Sequence, residues 1–446
     1  MNTLYEFNYS QDIINLQTKY SLFGRVANIV FSTVVENGFD TELMARAINT
    51  VIARNDSLRI KFHHKDKKIF QTFESEKVLS DIKTVSLRTQ TRYNSFLSCF
   101  RARENNLFKG ETLKVVFTVN PDGKQEIFFK ISHYVADTYG IAIVVNDIFA
   151  VYKALANGES LPPAPGQFED VIKKDIEAKH DSVSVQKDLD FFKNCYVGKP
   201  HPTYCGLHGN GSDRWLKNKA KDKFSLPYLF IKCDTQGYKL HIPASLNTEV
   251  MNWCTENGIT PSAFYFYTMS LASSRLNDKQ KYLAPLMLLD CRGTLAERKA
   301  AGTKVQCISV YTTVDYEKSF KENIALEYAQ QNQLFRHTKL TYLEVEAIQH
   351  KEWNYSLLSQ ITNFSYSFIP FNAPEGVKLQ IHSNGKGALV AYIALMWDTR
   401  TNAIDVAYDV QTKMITPVQL MDYHNLFLET VEAVIKDSTT PLNKLF

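Results

Sequence analysis

Residues 113–157 carry the pattern that most limits the possible folds of this chain. Two short β-prone runs, LKVVFTV and EIFFKI, flank NPDG, where Pro121 and Gly123 suit a tight reversal. After a short loop, apolar residues recur three and four positions apart, the spacing of one helix face: Ile143, Val144, Ile148, Val151 and Ala154. The segment therefore predicts a β-hairpin followed by a helix, and it places His133 and Asp137 at a strand end.

Other segments repeat this mixture of strands and covering helices. Residues 40–54 place apolar side chains on one helical stripe, with Asp40 or Thr41 as N-cap. Two later segments, beginning at 260 and 416, open with Thr-Pro, an N-cap followed by proline at the first helical position. The expected buried face of the second helix consists of Val418, Met421, Leu428, Val431 and Ile435. Strand-like runs lie between these helices, so we expect an α/β fold of the layered α+β type.

The clearest linker is LPPAPG at residues 161–166, and a charged, helix-prone stretch follows it. The length of 446 residues suits two domains of ordinary size. We set the boundary near 175, with an N-terminal domain at 1–175 that carries the His/Asp loop and a C-terminal domain at 176–446.

Composition excludes several classes of protein. Hydrophobic residues at 44% and charged residues at 22% are globular averages, and a net charge of +4 is too small to indicate nucleic-acid binding. The seven cysteines are scattered without a C-x-x-C pair, and the N-terminus lacks a signal-peptide pattern, so we expect a reduced, cytoplasmic protein. No uninterrupted apolar run reaches about 18 residues, so we expect no membrane span.

The pairing of His133 with Asp137 four residues later is chemically suggestive. Imidazole titrates near neutral pH and can take a proton from an attacking amine, hydroxyl or thiol. A carboxylate nearby can fix the loop that carries the imidazole. The pair alone leaves a purely structural histidine open as the alternative.

Several segments resemble one enzyme family. SHYVADTYG (132–140) resembles the HHxxxDG signature of nonribosomal peptide synthetase condensation domains, which the wider chloramphenicol acetyltransferase-like superfamily shares as HxxxDG. RNDSLRIKF (54–62) resembles the RHExLRTxF segment of the family, and YKALANGESLPP (152–163) is similar to its exit from the following helix. DCRGT (290–294) and the terminal P-L-x-x-L also match in order, so the likeness spans nearly the whole chain.

The resemblance implies two chloramphenicol acetyltransferase-like subdomains, arranged as a V-shaped pseudo-dimer with a central tunnel. It implies that His133 is the catalytic imidazole and that Asp137 is a structural carboxylate paired with Arg292. Whether the imidazole deprotonates the nucleophile or only orients it stays open. Arg59, in the second motif, is expected to be a structural ion-pair residue and not a catalytic one.

Four residues depart from the family pattern or replace its usual groups. Ser132 stands for the first histidine of the doublet, which tolerates variation. Thr138 stands for the motif glycine, and Gly140 is expected to supply the flexible turn instead. Ser309 is a candidate tunnel residue because GTKVQCISVYTT lacks the Asn-Thr of the family.

The implied reaction is transfer of an acyl group from a thioester to an amine or hydroxyl, giving an amide or ester in natural-product biosynthesis. The donor is the phosphopantetheine arm of a carrier protein or an acyl-CoA, the acceptor is a small amine or alcohol, and neither a tightly bound cofactor nor a metal is expected. The sequence ends at PLNKLF without an adenylation or carrier segment, so we expect either a free-standing enzyme or an excised domain, of which Met1 and the compact ends favour the free-standing enzyme. A CoA-dependent O- or N-acetyltransferase and a non-catalytic, carrier-recruiting module remain as alternatives.

Two further segments have competing interpretations. HPTYCGLH (201–208) offers His201, Cys205 and His208 as metal ligands but no evident fourth ligand, so an ordinary loop is expected. DRWLKNKAKDK (213–223) is basic and suits either an acidic partner or a solvated loop, of which the loop is expected.

Overall fold

The computed structural model describes residues 3–20, 24–103, 105–208, 234–354, 361, 364–387 and 389–446. The basic stretch 213–223 lies outside the described residues. The α-helices of the described chain are α1 Tyr9–Tyr20, α2 Thr41–Arg54, α3 Gln90–Ala102, α4 Thr138–Asn157, α5 Phe168–Lys179, α6 Ser182–Tyr196, α7 Ala244–Asn257, α8 Pro261–Leu276, α9 Leu295–Lys299, α10 Phe320–Leu334, α11 Tyr342–Trp353, α12 Pro417–Lys436 and α13 Leu442–Leu445. Short 3₁₀ helices are formed by Gly24–Ala27, Asp56–Arg59 and Leu107–Lys109.

Strands alternate with these helices along the chain. They are β1 Asn28–Val35, β2 Ile60–Lys65, β3 Lys68–Phe73, β4 Thr84–Ser86, β5 Leu113–Val119, β6 Gln125–Ser132, β7 Thr235–Ile242, β8 Tyr282–Leu283, β9 Leu286–Asp290, β10 Val305–Ser309, β11 Thr312–Thr313, β12 Ser365–Phe371, β13 Val377–His382, β14 Ala391–Asp398 and β15 Ala403–Gln411.

The chain forms two compact units. The first consists of Met1–Asp181, Asp290–Val305 and Phe371–Lys386. The second consists of Ser182–Leu289, Gln306–Pro370 and Gly387–Phe446. Two later segments of the chain therefore pack with its first part. The domain boundary near 175 stays a prediction. It divides the chain at one point, whereas the compact units each combine separate segments of the chain.

The first unit is built on a five-stranded sheet in the order β13-β1-β6-β5-β4. The predicted hairpin is present, since β5 and β6 pair antiparallel from Leu113 opposite Ile131 to Val119 opposite Gln125. Gly123 in the reversal has a φ of 77°, a value that glycine adopts without strain. One face of this sheet joins α2 and α4 in the apolar core.

The predicted helix at 40–54 is α2, and its sequence explains where it begins and which face it buries. The Asp40 carboxylate accepts from the Leu43 amide at 2.7 Å and caps the start. The buried stripe consists of Met44, Ala47, Ile48, Val51 and Ile52, as the spacing predicted. Full burial of a Val, Leu or Ile side chain contributes roughly 1.5–3 kcal/mol, so this stripe holds α2 against the core.

The RNDSLRIKF segment has structural contacts throughout. Arg54 lies 3.3 Å from Asp147 of α4. Asp56 accepts from the backbone amides of Phe168 and Glu169 at 2.7 and 2.8 Å, which caps α5. Arg59 donates to the backbone carbonyls at the end of α2 and to that of residue 74, so the hydrogen bonds of its guanidinium are to main-chain carbonyls and not to the carboxylate of an ion pair. Its structural role stays a prediction.

The second unit contains a six-stranded sheet in the order β10-β9-β12-β14-β15-β7. Strands β14, β15 and β7 pair antiparallel, whereas β12 and β9 run parallel. Both Thr-Pro helices are present as predicted. Thr260 caps α8 by accepting from the Ala263 amide, and Thr416 forms a capping box with Gln419 at the start of α12.

The predicted buried face of α12 was wrong by about one position. Val418 is 69% exposed and Met421 is 42% exposed, Leu428 and Ile435 are half-buried, and of the predicted set only Val431 is buried. The buried face includes the three aromatic rings of Tyr423, His424 and Phe427, and its other members are Leu420, Thr430, Val431 and Val434. The Tyr423 hydroxyl donates to the carbonyl of Met269 in α8, and large rings bury more apolar area than Val or Met, so they decide the rotation of the helix.

Among the described residues, one helix, α4, is long and apolar enough to cross a membrane. Its most apolar stretch is 44% buried in the structure, and it packs within the core of the first unit. Core helices of water-soluble proteins satisfy the same criteria, so this helix is weak evidence for a span. The expectation that the chain does not cross a membrane stays a prediction.

Candidate active site

The loop that carries His133 joins the last residue of β6, Ser132, to the first residue of α4, Thr138. The backbone of His133 is fixed on both sides. Its N–H donates to the carbonyl of Ala27 at 2.6 Å, and its carbonyl accepts from the Thr303 hydroxyl at 2.5 Å. The sequence-predicted histidine is therefore held at a strand end by contacts with two distant segments.

The imidazole of His133 is half-buried, and its surroundings favour the neutral form. Burial lowers the pKa of His133 below its ordinary value, and the Asp137 carboxylate only partly opposes this shift. Among the described residues, nothing hydrogen-bonds to Nδ1, which is buried. A neutral ring at neutral pH has a lone pair with which it can accept a proton.

Asp137 is bonded through both of its carboxylate oxygens. Oδ1 accepts from the Gly140 amide at 2.8 Å, which caps α4, and from Arg292 Nη2 at 2.9 Å. Oδ2 accepts from Arg292 Nη1 at 2.9 Å and from the Lys304 amide at 2.8 Å. Arg292 thus pairs with Asp137 in two-point geometry, as the family resemblance implied. The roles of both residues in a reaction stay predictions.

Arg292 is fully buried, with a side chain that is 0% exposed. Besides Asp137, it bonds Asp290 at 2.7 Å and the carbonyl of Gly302. Burial alone would lower the pKa of Arg292, but the two carboxylates outweigh burial and raise it. The ring of Tyr139 lies 4.7 Å from the guanidinium carbon. The guanidinium therefore stays charged and ties α4 to residues 290–302.

Gly140 lies in the first helical turn of α4, not in a flexible turn as the sequence suggested. Its importance in the structure is its lack of a side chain. A Cβ at this position would lie 1.9 Å from the backbone oxygen of Ala301 and 2.8 Å from its carbonyl carbon. Only glycine permits this approach, which brings residues 301–304 against the start of α4.

The remaining predicted site residues have these positions. Ser132 is buried, and its hydroxyl accepts from the Tyr134 amide at 3.4 Å. Thr138 is half-buried at the first position of α4. Ser309 ends β10 in the second unit, where its buried hydroxyl has no partner among the described residues and its carbonyl accepts from the Tyr196 hydroxyl at 2.6 Å. Their support of a tunnel stays a prediction.

Sequence reasoning missed Thr303 and Lys304, which both bond the His133 loop. The Lys304 ammonium lies 2.6 Å from Asp175 and 3.1 Å from Glu297, so two carboxylates hold its side chain. The backbone N–H of Lys304 donates to Asp137. The only available signal was position, since GTK closely follows the DCRGT segment that carries Arg292.

The described parts of the chain contain no group of three or more His, Cys, Asp or Glu residues placed to hold a metal ion. The candidates in residues 201–208 have other surroundings. Nδ1 of His201 lies 2.6 Å from the carbonyl of Pro202, and burial raises the pKa of the Cys205 thiol, which disfavours the thiolate that metals prefer.

Comparison with known proteins gives one consistent family. A family model described as "Condensation domain" matches residues 17–445. Surfactin synthase subunit 1 of Bacillus subtilis (strain 168) is 19% identical over 453 residues, covering 98% of this chain and 12% of that protein. The hybrid PKS-NRPS synthetase thnA of Trichoderma harzianum is 22% identical over 244 residues, covering 54% of this chain and 6% of that protein. The chain thus spans a small part of these relatives.

Solved structures show the same fold. The condensation domain from monacolin K polyketide synthase MokA has a TM-score of 0.81 at 12% identity, covering 99% of each chain. The first condensation domain of the calcium-dependent antibiotic synthetase has a TM-score of 0.80 at 13% identity, covering 99% of this chain and 98% of that one. The starter condensation domain of rhizomide synthetase, in a complex with C8-CoA, has a TM-score of 0.79 at 17% identity, covering 99% and 97%.

Proposed function

Because the chain belongs to the condensation-domain family, we propose that it transfers an acyl group from a pantetheine thioester to an amine or hydroxyl through His133. The family consists of transferases that form amide bonds in nonribosomal peptide biosynthesis. The observation that carries the proposal is the position of His133 at a strand end, in a loop that Asp137 and Arg292 hold through two hydrogen bonds. Burial lowers the pKa of His133, which favours the neutral ring that this chemistry needs.

The proposed reaction follows from the chemistry of these groups. The lone pair of the amine or hydroxyl attacks the thioester carbonyl, a C–N or C–O bond forms, and the C–S bond breaks. The proton of the nucleophile passes to the neutral imidazole and from there to the departing thiolate. Proton transfer of this kind contributes about 10²- to 10⁴-fold, and confinement of both reactants at one site adds to it.

The donor and acceptor are part of the proposal. A carrier-protein phosphopantetheine arm or an acyl-CoA would supply the thioester, and a small amine or alcohol would accept the acyl group. The neighbouring starter domain solved with C8-CoA supports the inclusion of CoA thioesters among the donors tested. The cytoplasmic location, the free-standing state and the lack of a resident cofactor stay predictions.

The test is mass-spectrometric detection of amide or ester products. A panel of acyl-pantetheine thioesters, carrier-loaded acyl groups and octanoyl-CoA is mixed with pooled amines and alcohols. Wild type is compared with His133→Ala and with His64→Ala, a matched control that removes an exposed imidazole outside the site. We expect product from wild type and the control, and none from His133→Ala.

Equal product from wild type and His133→Ala would contradict the catalytic role of His133. Product from short acyl-CoA donors alone, with carrier-loaded donors ignored, would support the CoA-dependent acetyltransferase instead. Binding of a carrier protein with no product from any donor would favour the recruiting module.

A further inference from the structure

The imidazole of His133 lacks the usual means of orientation. A catalytic histidine is commonly fixed by a hydrogen bond from one ring nitrogen to a carboxylate or carbonyl, which leaves the other nitrogen free to act. Here Nδ1 is buried and has no hydrogen-bond partner among the described residues. The direction of the ring must therefore be set largely by the backbone that carries it and by packing.

The backbone of His133 has two hydrogen bonds, and one of them comes from a side chain. Its N–H donates to the carbonyl of Ala27, a contact between main chains. Its carbonyl accepts from the hydroxyl of Thr303, which is 170 positions away and has an exposed fraction of 0%. A substitution that removes this hydroxyl releases the peptide group on the C-terminal side of His133 and leaves the sequence of the loop unchanged.

Thr303 is itself firmly anchored. The amide of Asn8 donates to the Thr303 carbonyl at 3.2 Å and to Asp175 at 3.0 Å. The next residue, Lys304, bonds Asp137 through its backbone amide and Asp175 through its side chain. The hydroxyl of Thr303 is therefore presented to His133 from a segment that is itself hydrogen-bonded to Asn8, Asp137 and Asp175.

We propose that Thr303 is a positioning residue for His133, because its hydroxyl fixes one of the two peptide groups that flank the Cα carrying the imidazole. This inference rests on the proposed function, in which that imidazole meets the reacting atoms. Displacement of a reacting group by about 1 Å can cost about 10²-fold in rate. Loss of the Thr303 hydroxyl should therefore lower kcat by roughly 10- to 100-fold while KM changes little.

Two matched variants separate positioning from general stability. Thr303→Val keeps the shape and volume of the side chain but removes the donor, whereas Thr303→Ser keeps the donor. Thr118→Val is the control, because Thr118 is also buried in the first unit and its hydroxyl donates to the carbonyl of Glu126 at 3.3 Å, away from the His133 loop.

The experiment is an NMR pH titration of protein labelled at its histidine rings, with the His133 signal identified by its disappearance in His133→Ala. It needs no substrate. In Thr303→Val we expect a changed chemical shift and a pKa closer to the ordinary histidine value, since a released ring regains water. Thr303→Ser and Thr118→Val should reproduce the wild-type curve. With a productive donor, kcat should fall in Thr303→Val and be restored in Thr303→Ser.

An unchanged shift and titration of His133 in Thr303→Val would overturn the inference, even if kcat fell, because a structural effect would then suffice. If Thr303→Val fails to fold, as dispersion of the other histidine signals would reveal, Thr303→Ala provides the same readings. Retention of product by His133→Ala would refute the proposed function, and with it the catalytic purpose of Thr303. Loss of product in His133→Ala with an unaltered Thr303→Val would refute the inference alone.

Discussion

Replacement of Arg292 by alanine is the sharpest test of how the site is held together. The substitution removes the two hydrogen bonds to Asp137 and those to Asp290 and Gly302. Asp137 is 5% exposed and would retain only the amides of Gly140 and Lys304 as donors. A carboxylate would thus stay buried without its cation.

The magnitude follows from this loss. Removal of one partner of a buried ion pair costs about 3–5 kcal/mol, because the remaining charge is left uncompensated. Total stabilities of single domains are about 5–15 kcal/mol, so Arg292→Ala removes a large share of what stabilises the first unit. Arg292→Lys should lie between wild type and alanine, since one ammonium cannot reproduce the two-point contact.

Hydrogen exchange is the appropriate assay for this change. The described tryptophans, Trp253, Trp353 and Trp397, all belong to the second unit, so their fluorescence does not report on the first. Exchange in peptides covering the start of α4 should accelerate by about 10²-fold or more, since each 1.4 kcal/mol corresponds to about a factor of ten. Arg46→Ala, at an exposed arginine of α2, should change exchange little.

A double substitution completes the test. Asp137→Asn combined with Arg292→Ala removes the unpaired charge and should recover part of the lost protection, so the two effects should not add. A loss below about 1 kcal/mol in Arg292→Ala, or strict additivity in the double variant, would refute the conclusion that the pair is a tightly coupled buried unit.

Three further outcomes are expected. Gly140→Ala should destabilise the first unit by about 1–3 kcal/mol or more, because the added Cβ would overlap the backbone of Ala301. Gly293→Ala is the control and should cost little stability, since its Cβ meets nothing closer than 3.8 Å. Equal melting temperatures of the two variants would contradict this prediction. Burial raises the pKa of Glu327 to about 7, so the folded state holds this proton more tightly than the unfolded chain, and this group should lower stability by up to about 3 kcal/mol as pH rises from about 4.5 to 7. Glu327→Gln should reduce the pH slope in tryptophan-monitored urea unfolding but not abolish it, since burial also raises the pKa of Glu346 in the same unit to about 7. Since burial lowers the pKa of His133, the acid limb of the pH–rate profile should lie below about pH 6.5, and a limb above that value would argue against His133 as the titrating group.

The family, the α/β class and the acyltransferase function predicted from the sequence are confirmed at the level of the family. The family was recognisable because its motifs occur in order along nearly the whole chain, whereas individual elements were predictable because their signals are local. The helix at 40–54, the hairpin at 113–132 and the Thr-Pro caps follow from periodicity and capping, which are determined by residues within one or two turns. The HxxxD spacing is local too, so the loop that carries His133 was visible in the sequence.

The face of α12 marks the limit of local reasoning. Periodicity establishes that a helix is amphipathic, but Val418 and Tyr423 both belong to apolar stripes of the same segment. The choice between the stripes was made by α8, against which the aromatic residues pack. A helix rotates to bury its largest rings only when a partner surface exists, and that surface is formed by a distant part of the chain.

Local sequence patterns were enough to predict the hairpin of β5 and β6, the helices α2 and α4 and the two Thr-Pro helices, and to place an imidazole and a carboxylate in one loop. The contacts that hold that loop became visible in the folded structure. Arg292 lies 155 positions from Asp137, and Thr303 lies 170 positions from His133. The segment that carries them, Asp290–Val305, packs in the first unit, although the preceding segment Ser182–Leu289 belongs to the second. A hydrogen bond between such positions depends on how distant segments pack together within the first unit, and no periodic pattern in the sequence reports that packing. Burial of the bonded groups then sets how costly it is to break each bond.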